Sequence, residues 1–133
     1  MSQVLLDSSI LIPALRVGGG KDEKQRVAAL LTSGRAVVTE AILYELWRGA
    51  KPGREQEGVR RLASDLPILK TTAAVWEQCF ELARRCRVKG FQIPMGDMLV
   101  AACALEYGVV VEQADTHFEQ IQSVLPETKI LGP

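Results

Sequence analysis

Short apolar runs alternate along the chain with longer segments in which apolar residues recur every three or four positions. The short runs are rich in Val, Leu and Ile and are bounded by turn-forming or charged residues, a pattern typical of buried strands. We therefore predict strands over residues 4–6, 36–39, 67–70 and 109–111, with a weaker fifth strand over residues 129–131.

The intervening segments have the spacing of helices that bury one face. In residues 21–34, for example, Val27, Leu30 and Leu31 recur at helical intervals, and Gly34 follows as a helix stop. The same reasoning predicts helices over residues 39–50, 54–65, 73–89 and 95–108. This alternation indicates an α/β fold with three layers, in which helices cover both faces of a central, mostly parallel sheet of four or five strands.

Acidic residues are placed around the carboxyl ends of these strands. Asp7 ends the first strand, and Asp115 follows the strand at residues 109–111. Glu45 lies in the helix after the second strand, and Asp97 begins the helix that leads into the fourth. Because ligands of parallel sheets bind outside the carboxyl ends of the strands, we expect these four acids to meet at that edge of the sheet.

Two of the acids also have a local explanation at the start of a helix. Asp7, Ser8 or Ser9 can cap the helix after the first strand by accepting hydrogen bonds from its free amide groups. Asp97 stands in the first turn of its helix, where the helix dipole favours a negative charge. Taken singly, these local roles account for both positions.

The other two acids have local alternatives as well. Glu45 and Arg48 are three positions apart on a helix, and such a pair contributes about 0.2 to 0.5 kcal/mol. Thr116 and Glu119 have the spacing of a capping box, which would make Asp115 a turn residue before a short helix. The placement of all four acids at one predicted edge is what favours a shared function.

Composition excludes several classes of protein. The 133 residues are 47% hydrophobic and 24% charged, which is typical of one globular domain over residues 1–133. Lys plus Arg and Asp plus Glu are equal at 16 each, so any nucleic-acid binding must come from local patches. With no apolar run of bilayer length and no signal peptide pattern, we expect a cytoplasmic protein without membrane contact.

The three cysteines lack CxxC spacing and are expected to be reduced core residues.

Four strings of the sequence carry a family resemblance: LLDSSILIPAL, TEAILYELWRGA, GFQIPMGDMLVAACALEYGV and DTHFEQI. In this order they resemble the motifs of the PIN-domain ribonucleases, and in length and layout the chain is similar to the VapC-type toxins of prokaryotic toxin-antitoxin pairs. The matched acids are Asp7, Glu45 rather than Glu40, Asp97 and Asp115. The resemblance covers nearly the whole chain and implies a PIN-like fold and cleavage of RNA.

The resemblance also implies a metal centre. Asp7, Asp97 and Asp115 would be ligands of one or two Mg²⁺ ions, with Mn²⁺ as a substitute, and Glu45 would act through a bound water. Ser8 would support the site through its hydroxyl. The chemistry agrees, because crowded carboxylates raise one another's pKa and a hard divalent cation with oxygen ligands removes that repulsion.

One position departs from the family pattern. Members often carry Thr or Ser two residues before the fourth acid, and this sequence has Gln113, whose amide can also donate and accept hydrogen bonds. The departure is the one hint of an alternative function, a PIN-like module that binds RNA or protein without cleaving it. A phosphatase of the haloacid dehalogenase type, with Asp7 as nucleophile, would need a second Asp where Ser9 stands.

Candidate substrate contacts are basic residues near the predicted edge, namely Arg16, Arg48, Lys51 and Arg87. Cations at the end of a helix also complement its dipole, which is the alternative for the group around Arg87. His117, the one histidine of the sequence, is predicted to be a surface turn residue because a metal-dependent hydrolase needs no histidine.

The resemblance finally implies two protein partners. VapC-like proteins form homodimers through their helices, and a cognate antitoxin occupies the acidic groove with its C-terminal segment. Apolar residues on the early helices that suit either such surfaces or the core are Ile12, Leu43, Trp47 and Leu62.

Overall fold

The computed structural model describes residues 2–16 and 18–132. Within these ranges, strands and helices alternate as in an α/β protein. The elements are β1 (Val4–Leu6), α1 (Ser8–Leu15), α2 (Lys21–Thr32), β2 (Ala36–Thr39), α3 (Glu40–Gly49), α4 (Arg54–Asp65), β3 (Ile68–Leu69), α5 (Ala73–Val88), α6 (Met95–Tyr107), β4 (Val110–Glu112) and α7 (His117–Ser123).

The strands form one parallel sheet in the order β3-β2-β1-β4. Val4 of β1 pairs with Ala36 on one side and with Val110 on the other, so β1 is a central strand. Every residue of β1 and β2 is buried, as expected for strands covered on both faces. The predicted α/β fold, with helices on both faces of a parallel sheet, is confirmed.

The strand order reverses beside β1. The first three strands are added in one direction across the sheet, and β4 then returns to the free side of β1. Open parallel sheets bind ligands at such a reversal, outside the carboxyl ends of the strands. The residues that follow β1 and β4 therefore occupy the position where a site is expected.

Two of the predicted strands, the weaker fifth and the third, are shortened in the structure. The fifth strand is reduced to a single bridge between Leu131 and Val111. The side-chain oxygen of Gln122 accepts hydrogen bonds from the N–H groups of Ile130 (2.7 Å) and Leu131 (3.2 Å), which removes both donors from a ladder. The third strand has two residues rather than four, and it begins after Pro67, which has no N–H to donate.

Helix α6 is deeply buried in the core. Its residues 97–104 are all buried, and α5 packs against it. The three cysteines are buried and free, as predicted. A helix fixed in this way holds Asp97, in its first turn, at a defined position.

The apolar residues of the early helices have different environments. Leu62 is buried, Ile12 and Leu43 are partly buried against the core, and Trp47 remains 37% exposed. The guanidinium of Arg60 lies 4.7 Å from the Trp47 ring centroid. No helix in the described ranges combines the length and the apolar character that crossing a membrane requires.

Candidate metal centre

Asp7 caps α1 with one carboxylate oxygen and leaves the other without a donor. Its Oδ2 accepts hydrogen bonds from the backbone N–H (3.1 Å) and the hydroxyl (2.6 Å) of Ser9. Its Oδ1 is buried and has no hydrogen-bond partner among the described residues. Burial raises the pKa of this carboxyl, since Asp7 is 1% exposed. Capping therefore uses only one of the two carboxylate oxygens of Asp7.

The hydroxyl that supports Asp7 belongs to Ser9, whereas the sequence favoured Ser8. The Ser9 hydroxyl also accepts a hydrogen bond from the N–H of Ala114 (2.9 Å), so it connects the end of β1 to the loop after β4. Ser8 is buried, and its hydroxyl has no hydrogen bond within the described part of the chain. Which serine faces the loop depends on how the first turn of α1 is rotated about the helix axis. Two adjacent serines in a sequence do not indicate that rotation.

Glu45 extends from α3 to the first turn of α6. A Cβ built on Gly96 would lie 2.8 Å from Oε1 of Glu45, so the glycine provides the space that this carboxylate occupies. The same Oε1 is buried without a hydrogen-bond partner in the described ranges. Burial and the charge of Asp7 raise the pKa of Glu45, while Arg48 lowers it. No ion pair joins Glu45 to Arg48 among the described residues, in contrast to the local alternative.

Glu40, the neighbouring candidate on α3, has a different role. It is exposed, and its Oε1 accepts a hydrogen bond from the N–H of Thr71 (2.8 Å), which lowers the pKa of Glu40. A carboxylate already bonded at the surface is a poor candidate for the centre. Glu45 therefore stays the predicted acid of α3.

Asp97, Asp115 and His117 bring three potential ligand atoms within 4.8 Å of one another. Nδ1 of His117 lies 2.9 Å from Oδ2 of Asp97 and 3.0 Å from Oδ1 of Asp115. Burial and the charges of Asp115 and Asp7 raise the pKa of Asp97 to about 6, although His117 opposes that rise. The prediction that His117 is a surface turn residue is wrong, because its ring contacts two of the acids.

Side-chain hydrogen bonds shape the loop between β4 and α7. The amide oxygen of Gln113 accepts from the N–H of Asp115 (2.6 Å), and Oδ1 of Asp115 accepts from the N–H of His117 (2.9 Å). Gln113 thus supplies a hydrogen-bond acceptor beside the fourth acid, as expected. The predicted capping box is not formed, because Thr116 makes no side-chain hydrogen bond at the start of α7.

The four acids act electrostatically on one another at the strand reversal. The charges of Asp7 and Asp115 raise the pKa values of both Glu45 and Asp97. Two of the carboxylate oxygens are buried without a donor, one on Asp7 and one on Glu45. Since such groups are costly to bury unpaired and oxygen ligands suit hard cations, this donor set fits a divalent ion such as Mg²⁺ or Mn²⁺.

Arg48 is the candidate substrate contact that lies beside the acids. It lines a groove between α3, α5 and α6 together with Glu45, Tyr44, Trp76 and Met95. Its guanidinium is 5.9 Å from the Tyr44 ring centroid. The groove therefore joins a cation and exposed apolar side chains to one of the acids.

The other three basic candidates lie at the ends of their helices. Arg16 follows the eight residues of α1, so about 12 Å of helix separates it from Asp7. Lys51 is exposed after α3, and Arg87 is exposed in the last turn of α5. The arginines just before Arg87 form ion pairs with Glu81 and Glu127, so they are engaged in structural contacts.

Comparison with known proteins places this geometry in a family. A family model of the PIN domain matches residues 4–124, a span that contains all four acids. No curated protein sequence matches at a significant level.

Solved structures share the fold. A chain of the VapBC complex from Salmonella typhimurium bound to DNA has 21% identity and a TM-score of 0.74, with 97% of this chain and 96% of that chain covered. VapBC2 from Rickettsia felis, bound to a promoter DNA fragment, has 19% identity and a TM-score of 0.73, with 95% of each chain covered. VapC20 of Mycobacterium tuberculosis, described as a sarcin-ricin loop cleaving toxin, has 20% identity and a TM-score of 0.66, with 88% of this chain and 93% of that chain covered. On the family match, which spans most of the sequence and every predicted acid, the chain belongs to the PIN domain family.

Proposed function

We propose that this protein is a metal-dependent endoribonuclease that hydrolyses RNA phosphodiester bonds as the toxin of a type II toxin-antitoxin pair. The observation that carries the proposal is the pair of buried carboxylate oxygens without a donor, Oδ1 of Asp7 and Oε1 of Glu45, among acids that raise one another's pKa. Membership of the PIN family and the shared fold with VapC20 support it.

Each acid has a distinct role in the proposal. Asp7, Asp97 and Asp115 would hold one or two Mg²⁺ or Mn²⁺ ions, and Glu45 would contact the centre through water. When bound, the ion would neutralise charge on the scissile phosphate and lower the pKa of a bound water. Glu45 is suited to accept a proton from that water, because its Oε1 has no donor and its pKa is raised.

The supporting residues keep the acids in place. Ser9 fixes one oxygen of Asp7 and joins it to the loop after β4. Gln113 fixes the backbone of Asp115. These contacts leave Oδ1 of Asp7 free for the ion.

RNA would approach along the groove that contains Arg48. Arg48 lies beside Glu45, where a guanidinium can contact a phosphate without pairing with the acid. Arg16, Lys51 and Arg87 do not line this groove and would contact the flanking backbone. With a net charge of +0, the protein would bind RNA locally, as an enzyme acting on cytoplasmic RNA would.

Protein partners complete the proposal. Structures of the same fold include a toxin-antitoxin complex from Klebsiella pneumoniae and the VapBC complexes above. A cognate antitoxin would occupy the groove lined by Tyr44, Trp76 and Met95, where an apolar segment can bury side chains and a basic residue can meet Glu45. We also propose that two copies of the chain form a homodimer through their helices.

The test is cleavage of purified tRNA, rRNA and mRNA with Mg²⁺ or Mn²⁺. We expect cleavage that EDTA abolishes and that Asp7→Asn and Asp97→Asn reduce by about 100-fold or more. Asp65→Asn, at the exposed end of α4, is the matched control and should cleave normally. RNA that is bound but stays intact with the wild-type protein and both ions would instead favour the binding module.

A further inference from the structure

We infer that His117 is a direct ligand in this metal centre and that its imidazole makes the site prefer Mn²⁺ to Mg²⁺. The inference rests on the proposed function, because it concerns the same centre. It adds a histidine to the set of metal ligands, which the acidic motifs do not include. It also states which of the two divalent ions the site prefers.

The first argument is the position of Nδ1. This nitrogen lies 2.9 Å from an oxygen of Asp97 and 3.0 Å from an oxygen of Asp115. In six-coordinate sites with bonds of about 2.1 Å, neighbouring ligand atoms are about 3 Å apart. Nδ1 therefore already has the spacing of an adjacent ligand to each of the two carboxylate oxygens, and all three atoms lie within 4.8 Å of one another.

The second argument is that the ring is held in place from both sides. Phe118, the next residue, is fully buried and fixes the start of α7 in the core. The N–H of His117 donates to Oδ1 of Asp115 (2.9 Å), so the backbone of the histidine and the acid are coupled. Asp97 approaches from α6, the most buried helix. A ring fixed between two acids from different elements is preorganised for ligation.

The third argument is ligand chemistry. Mg²⁺ prefers oxygen ligands and retains its waters. Mn²⁺ also binds carboxylates well, but as a first-row transition ion it accepts an imidazole nitrogen more readily than Mg²⁺ does. Replacing one oxygen ligand by a neutral nitrogen therefore weakens a Mg²⁺ site more than a Mn²⁺ site. The alternative is that Nδ1–H only orients the two carboxylates by hydrogen bonding, as a residue outside the coordination sphere would.

The direct test uses Mn²⁺ as the probe and electron spin echo envelope modulation as the readout. Because the sequence has one histidine, tag-free protein labelled with ¹⁵N-histidine carries the isotope at His117 alone. We expect ¹⁴N imidazole modulation of bound Mn²⁺ in unlabelled protein and its replacement by the ¹⁵N pattern in labelled protein. Mn²⁺ that binds without either signal would overturn the inference and leave the nuclease proposal intact.

The second readout is relative affinity. His117→Gln should raise the Kd for Mn²⁺ by about tenfold or more, with a change of less than about threefold for Mg²⁺ measured by competition. Glu119→Gln, on the exposed face of the same short helix, is the matched control and should change neither value. Equal weakening of both ions would show that His117 only orients the acids. Failure of the wild-type protein to bind either ion at millimolar concentration would overturn the proposed function as well.

Discussion

At the scale of single residues, the two serines at the start of α1 have different surroundings despite being neighbours. The Ser9 hydroxyl donates to Asp7 and accepts from the N–H of Ala114, whereas the hydroxyl of Ser8, a residue that is 8% exposed, makes neither contact. The difference matters because Asp7 has one oxygen committed to these bonds and one left free.

We predict that Ser9→Ala lowers the free energy of unfolding by about 1 kcal/mol and weakens Mn²⁺ binding, because it removes the hydroxyl's hydrogen bond to Asp7 and the bond that it accepts from the loop after β4. Urea denaturation and Mn²⁺ titration measure both effects. Ser8→Ala is the matched control, with an expected change of less than about 0.5 kcal/mol. Equal losses in the two variants would contradict the assignment.

Asp97 gives a prediction on pH. Its pKa of about 6 in the metal-free protein exceeds the ordinary value of 3.8, so the folded state binds more protons than the unfolded state between these pH values. The stabilisation is full below about pH 4 and is lost as pH rises through 6. In EDTA, the free energy of unfolding should therefore fall from pH 5 to pH 7 by about 1 kcal/mol more in the wild type than in Asp97→Asn. Identical slopes in urea denaturation would contradict this expectation.

Individual residues show what the sequence can and cannot predict. The four acids could be proposed as site residues because strand ends and motif strings can be read directly from the sequence. His117 and Ser9 could not, because their contacts with Asp97 and Ala114 depend on how two loops meet across the sheet. Gly96 was missed for the same reason, since its significance lies in the space it gives to a side chain of another helix.

At the scale of elements, α3 and α6 approach each other where Glu45 passes Gly96. A Cβ at this position would be 2.8 Å from Oε1 and 3.1 Å from Cδ of Glu45, so the carboxylate would have to move. The backbone of Gly96 has no positive φ, so alanine introduces no backbone strain. The contact between the helices therefore sets the position of the acid.

Gly96→Ala should reduce the rate of RNA cleavage by about tenfold or more, because small displacements of catalytic groups have large effects on rate. Circular dichroism should show little change in thermal stability. Gly49→Ala is the control, since a Cβ there meets no atom within 4 Å and its φ is also not positive. Cleavage at the wild-type rate by Gly96→Ala would contradict the proposed position of Glu45.

Element boundaries were predictable where burial is strong. β1 and β2 match the predicted ranges because every residue in them is apolar or enclosed. The end of the chain was not predictable in the same way, because the Gln122 side chain takes the N–H groups of Ile130 and Leu131 that a strand would use. When a side chain takes the hydrogen bonds that a neighbouring strand would make, the hydrophobic pattern of the sequence does not show it.

At the scale of the whole molecule, the strand order brings together acids that are far apart in the chain. β1 and β4 are neighbours in the sheet, and Asp7 donates its backbone N–H to the carbonyl of Glu112 (3.0 Å). Four acids gathered in this way repel one another when no cation is bound. If the centre binds a cation as proposed, we expect the metal-bound fold to be more stable than the metal-free fold.

Mn²⁺ at about 100 times its Kd should stabilise the protein by about 2.7 kcal/mol, which corresponds to a rise in Tm on the order of 10 °C. Differential scanning fluorimetry with and without EDTA measures the shift. Asp97→Asn should lose most of it, while Asp65→Asn should retain it. An equal shift in both variants would indicate that the ion binds elsewhere.

The position of β4 also has a consequence for synthesis of the protein. The loop that carries Asp115 and His117 follows β4, the last of the four strands along the chain, and it lies beside Asp7 because β4 pairs with β1. A nascent chain whose residues beyond 109 are still inside the ribosome has no complete acidic pocket. An RNA-cleaving chain built in this order would remain harmless to the ribosome that is making it until these residues have emerged.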